Sequence, residues 1–114
     1  MNRDNNDLLR IALSEAGTRL GKEPEPFIVL FERGDFSVEL YAPRGADTQH
    51  PHDQDEAYIV ASGSGTFRRG EERVPFQLGD FLFASAGVPH RFEEFTDDFR
   101  TWVIFFGPKG GSGG

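Results

Sequence analysis

The 114-residue chain sets 12 Lys and Arg against 19 Asp and Glu, a formal net charge of −7, and has no basic stripe or block. That balance argues against nucleic acid as a partner. It has no cysteine, so neither a disulfide nor a thiolate ligand can form, as befits a reducing cytoplasm. The N-terminal MNRDNNDLLRIALSEAG lacks an uninterrupted apolar core, and no run approaches the length of a membrane span. The expectation is a single cytoplasmic domain without membrane association.

Residues 5–17 predict a short helix. Asn5 or Asn6 can cap it, Leu8, Leu9, Ala12 and Ala16 follow a helical spacing, and Gly17 can end it. The prolines of 21–26 forbid its continuation. From Phe27 the helical period disappears. Phe27 to Glu32 is a compact apolar run, and Phe36 to Ala42 alternates, with Phe36, Val38, Leu40 and Ala42 on one face and Ser37, Glu39 and Tyr41 on the other. Further strands are predicted over 56–62, 66–69, 72–76, 81–84, 90–94 and 100–106, each bounded by Gly, Pro or Asp turns. Eight short strands at this spacing read as an all-β sandwich or barrel with one helix outside it. The expected division is 1–26 as helix and linker packed on the barrel, 27–108 as the barrel, and 109–114 as a flexible glycine-rich tail.

All three histidines fall in one pattern. His50 and His52 form an H-x-H pair, Glu56 follows four residues later, and His90 lies 38 residues beyond His52. Strand side chains alternate faces, so 50 and 52 look the same way, and 56 joins them if the extended backbone persists. Three imidazoles and a carboxylate suit one divalent transition metal, with Fe, Mn, Ni, Cu and Zn all compatible with an N/O donor set.

The stretch Gly45 to Gly63 reads G-(x)4-H-x-H-(x)3-E-(x)6-G, and Gly79 to His90 reads G-D-(x)4-S-x-G-x-P-H, with 15 residues between. Together these closely resemble the two motifs of the cupins, in the spacing of the smallest single-domain bacterial members. The resemblance covers at least 45–106. It departs at the first glycine, one residue closer to the histidine pair than is usual, at Ser85 where proline is usual, and at Glu94 where asparagine is frequent. The resemblance implies a double-stranded β-helix (a small jelly-roll barrel), commonly homodimeric, with His50, His52, Glu56 and His90 as metal ligands. It further implies dioxygenase- or isomerase-type chemistry on a small organic molecule, a non-catalytic ligand-binding or sensing role being the alternative. A third reading, a purely structural metal, predicts collapse on chelation. A core independent of the metal predicts only modest destabilisation.

Other residues are weighed on the same footing. Tyr58 shares the face of Glu56 and Phe92 that of His90, so both can line the cavity, with ordinary core packing as the weightier account. Trp102, Ile104 and Phe106 on one face of the last strand read as core. Arg44 and Gln49 flank the first motif and can meet an anionic substrate, although solvated loop positions fit them better. Asp53 and Asp55 read as turn formers before ligand supports, and Glu93, Glu94, Asp97 and Asp98 as a solvated face. The run FIVLF at 27–31 is apolar on both faces, so it needs cover on both, from the helix or from a second subunit.

Overall fold

The computed structural model describes residues 8–48 and 51–111. Helix α1 (Leu13–Leu20) precedes strands β1 (Phe27–Arg33), β2 (Phe36–Tyr41), β3 (Asp55–Ser62), β4 (Ser64–Arg69), β5 (Glu72–Gln77), β6 (Phe81–Ala84), β7 (His90–Glu93) and β8 (Arg100–Phe106). The strands form a five-stranded sheet in the order β1-β2-β8-β3-β6 and a three-stranded sheet in the order β5-β4-β7. Every pairing is antiparallel. The eight predicted strands are all present, most within a residue or two of their expected ends. No helix among the described residues is long and apolar enough to cross a membrane.

The helix differs from its sequence reading. Residues 8–12 are not helical, and Gly17 sits inside α1 rather than after it. Asn5 and Asn6 lie outside the described residues. Packing explains the shift. Ala16 and Leu20 bury against Ile28, Leu30 and Leu40, with Ile11, Leu13 and Trp102 at the edge of that cluster, whereas Leu9, which the predicted spacing used, is 92% exposed. Helical stability in a protein comes mostly from the face that packs, so the buried set decides where the helix lies. Gly17 lies within it where Arg100 crosses, and a Cβ there would fall 2.5 Å from Nη1 of that arginine.

The strict alternation of β2 is used on both faces. Leu40 is fully buried under α1, while Tyr41 joins the cluster between the sheets. On β8 the inward face is Thr101, Val103 and Phe105, not the predicted Trp102, Ile104 and Phe106. Register fixes this, because Val103 pairs with Tyr58 and Phe105 with Glu56 on β3, whose side chains point between the sheets. Trp102 instead packs beside the helix cluster.

The interior is largely aromatic. Tyr58, Phe67, Phe76, Phe92 and Phe99 are at most 4% exposed. Their rings meet edge-on or tilted, with Tyr58–Phe92 centroids at 5.0 Å and Phe92–Phe99 at 4.9 Å. Such contacts add to the area term that each ring contributes. This cluster closes one part of the space between the sheets, and the candidate site occupies another.

Candidate metal centre

Three of the four predicted ligands come together, and His50 lies outside the described residues. Ligand-type atoms of His52, Glu56 and His90 all lie within 4.8 Å of one another. Two of them come from the five-stranded sheet or the loop entering it, and one from the three-stranded sheet. Glu56, 1% exposed, points inward from β3. His90 opens β7, and His52 belongs to the loop leading into β3. Oε2 of Glu56 is 3.1 Å from Nδ1 of His52 and 3.1 Å from Nε2 of His90.

The imidazole of His90 is held in one tautomer. Its Nδ1 lies 2.8 Å from the Val88 carbonyl, which only accepts, so in the neutral ring Nδ1 carries the proton and Nε2 the lone pair. That Nε2 is buried and has no hydrogen-bond partner among the described residues, although the Glu56 oxygen is close. A buried polar atom without an aligned partner is costly. Donors about 2.1 Å from one ion and at right angles around it sit roughly 3.0 Å apart, close to the separations seen. The donor set therefore fits a divalent ion.

The electrostatics agree. Burial alone would raise the Glu56 carboxyl, but its hydrogen bonds with His52 and Tyr58 and the closeness of the His90 imidazole outweigh it, holding it down to about 2. His52 is raised, chiefly by its bond with Glu56. For His90 burial works downward, and the Glu56 and Val88 contacts reverse it to a net rise.

The loops that carry the ligands are tied to one another. The amide of Gly87, in the second motif, donates to the His52 carbonyl at 2.7 Å, and the amide of Ala86 donates to Oδ1 of Asp55 at 2.9 Å. Asp55 is 7% exposed, so it is a buried anchor rather than the turn former expected of it. Asp47, which the sequence did not single out, accepts from Tyr41 Oη at 2.5 Å and from the Phe92 amide at 2.8 Å. It thereby fastens the loop before the histidine pair to the strand of His90.

Tyr58 and Phe92 do not wall the open cavity beside His52. Both are sealed in the aromatic cluster, and Tyr58 acts on the site through a 2.7 Å hydrogen bond from Oη to Oε1 of Glu56. Arg44 is an exposed loop residue, as expected, and donates to the carbonyls of Glu23, Pro24 and Glu25, so it also clamps the β1 approach loop. Gln49 lies outside the described residues. Of the acidic face, Glu93 is paired with Arg68 and Arg73.

A cavity of about 340 Å3 reaches the triad through His52. Its walls include Phe27, Tyr41, Val103 and Phe105, and Glu39 projects into it from β2. Burial pushes the Glu39 carboxyl up to about 7, with Glu56 and Glu32 adding to the rise and His52 opposing it. Sequence reasoning missed Glu39. Its only signal was its place on the Tyr41 face of an alternating strand, and that face looked like the polar one.

Comparison with known proteins agrees with this architecture. An uncharacterised protein of Streptomyces coelicolor is 34% identical over 85 residues, spanning 73% of this chain and 81% of that protein. A cupin-2 domain protein of Shewanella frigidimarina superposes with a TM-score of 0.65 at 23% identity, over 82% of this chain and 91% of its own. A cupin 2 conserved barrel protein of Salinispora arenicola gives 0.60 at 22% identity, over 71% and 74%. Residues 37–105 match the cupin domain family, and with both motifs, the two-sheet fold and the clustered triad in place, the chain belongs to that family.

Proposed function

We propose that His52, Glu56 and His90, with His50 as the expected fourth ligand, hold one divalent transition metal, and that the protein acts on a small organic molecule admitted by the cavity beside it. The observation that carries this reading is the buried Nε2 of His90, without a hydrogen-bond partner among the described residues and 3.1 Å from a carboxylate oxygen that also meets His52. A bound divalent ion would supply Lewis acidity, suited to isomerase-type reactions, and as Fe(II) would also allow O2 to react with a substrate that itself supplies the electrons, as in dioxygenase-type reactions. The chain's own residues do the rest. Val88 fixes the His90 tautomer, Tyr58 steadies Glu56, Phe105 lies against the His52 ring at 4.7 Å between centroids, and Glu39 faces the admitted molecule.

Elemental analysis of protein purified without a histidine tag tests the metal, beside His52→Ala and His90→Ala variants. About one equivalent per chain in the parent, lost in both variants, is the result that this reading requires. Iron would direct substrate screens to oxygen uptake, and zinc, nickel or manganese to isomerisation. No metal in the parent and none taken up on reconstitution would sink the reading.

The expected homodimer has support in the surface. The helix covers Ile28 and Leu30 of β1, but Phe27 and Val29 on its other face stay 38% and 40% exposed, and β1 is a sheet edge. On the outer face of the same sheet Phe36, Ile59 and Phe81 are also exposed. Apolar surface of this kind favours a second subunit. Light scattering coupled to gel filtration should return twice the chain mass, and a monomer would refute the assignment.

A further inference from the structure

The cavity beside His52 has an unusual charge inventory for a site facing a cation. Among the described residues that line it there is no lysine or arginine, while Glu39 lies within it and Glu25 at its rim. Arg44, the nearest sequence candidate for meeting an anion, is engaged by three main-chain carbonyls at 2.8 to 3.1 Å. The ion's own charge has to be counted as well. A divalent cation held by Glu56 favours the ionised form of Glu39 facing it, so those two carboxylates cancel the ion, and Glu25 then leaves the mouth negative. An incoming carboxylate or phosphate gains no net attraction there and loses its hydration. A neutral molecule meets no such barrier. A cation gains from the carboxylates and from the aromatic rings of Phe27, Tyr41 and Phe105 in the wall. The volume, about 340 Å3, suits a single ring with substituents and little more.

We infer that this cavity takes a neutral or cationic ring-sized organic molecule, one that offers an N–H or O–H group to Glu39, and discriminates against carboxylates and phosphates. The inference rests on the proposed function in that it assigns the cavity to the same metal site.

Benzylamine, benzyl alcohol and benzoate share one ring and differ in charge, so they serve as probes. Each is titrated by calorimetry into zinc-loaded protein and into ion-free protein at pH 7.5, beside a Glu39→Gln variant whose fold is checked by its melting curve. Benzylamine should bind at least about tenfold more tightly than benzoate, with benzyl alcohol between, and Glu39→Gln should narrow that ratio severalfold. Benzoate binding as well as or better than the amine would overturn the inference. So would a ratio untouched by Glu39→Gln, or no binding of any probe at millimolar concentration. Zinc content of the same samples reports on the metal separately. One zinc per chain with benzoate preferred overturns the substrate class alone, whereas no zinc with the amine preference intact overturns the metal reading alone.

Discussion

Tyr58 and Glu56, two residues apart on β3, divide one carboxylate between two tasks. Tyr58 Oη donates to Oε1 at 2.7 Å, while Oε2 is the atom that lies 3.1 Å from both His52 and His90. The tyrosine therefore fixes which oxygen faces the histidines. Tyr58→Phe keeps the ring in its cluster and removes only the donor. It should lower metal affinity about tenfold or more and destabilise the ion-free protein by roughly 1–3 kcal/mol, the cost of leaving a buried acceptor unpaired. Competition with a chromogenic chelator reads the first quantity and urea unfolding the second. Unchanged metal affinity would show that the tyrosine only fills space.

The triad makes opposite demands on pH with and without an ion. In ion-free protein the depressed Glu56 contributes stability that is present above its unfolded value and is lost as pH falls through about 2. The raised histidines contribute stability that is full below their unfolded value, about 6.5, and is lost as pH rises through their folded values. Ion-free protein should thus gain most from the triad between roughly pH 4.5 and 6.5. Metal binding needs the histidines neutral, so its stabilisation grows as pH rises through the same values. Melting temperatures with EDTA and with metal should diverge as pH increases. A constant gap from pH 5 to 8 would contradict the assignment of His52 and His90 as ligands. In EDTA the melt should stay cooperative, because the aromatic cluster closes the barrel without the triad.

Glu94 occupies a backbone conformation that its side chain disfavours, with φ at 51°. Left-handed geometry costs an L-residue with a Cβ roughly 1–2 kcal/mol, and asparagine tolerates it better than most. This is the position where the motif resemblance leads one to expect asparagine. Glu94→Asn should raise the unfolding free energy by roughly 0.5–1 kcal/mol, measured by urea denaturation, with metal content unaltered.

Gly63 presents the reverse case. Its φ is +80°, and a Cβ there would lie 2.6 Å from Cα of Phe99 and 2.8 Å from its nitrogen. Backbone cannot yield as a flexible side chain can, so Gly63→Ala should cost about 3 kcal/mol or more. Gly70→Ala makes a useful comparison, since nothing lies within 4 Å of its Cβ position and only the positive φ opposes it. Equal losses in the two variants would argue against the contact with Phe99.

What could be read in the chain followed from how local its cause was. Strand positions, the H-x-H and P-H spacings and the glycines of the turns are local patterns, and the structure places His52, Glu56 and His90 together as those patterns led one to expect. The helix boundaries, the inward face of β8 and the role of Glu39 depend on partners far along the chain. Gly17 is helical because Ala16 and Leu20 on either side of it pack against β1 and β2. Val103 rather than Trp102 turns inward because of its pairing with Tyr58. Glu39 gains meaning only when β2 is laid against β8, opposite Val103, and no periodicity within a single strand reports that.

Strand β2 also ties two distant parts of the molecule to a single parity. Leu40 is a plug for the helix and Glu39 a lining of the cavity, on adjacent residues that face opposite ways. Adding or removing one residue ahead of them would exchange their duties, setting a carboxylate under the helix and an isobutyl group beside the triad. An insertion or deletion of a single residue within β2 would therefore cost twice, once in the packing under the helix and once in the lining of the cavity.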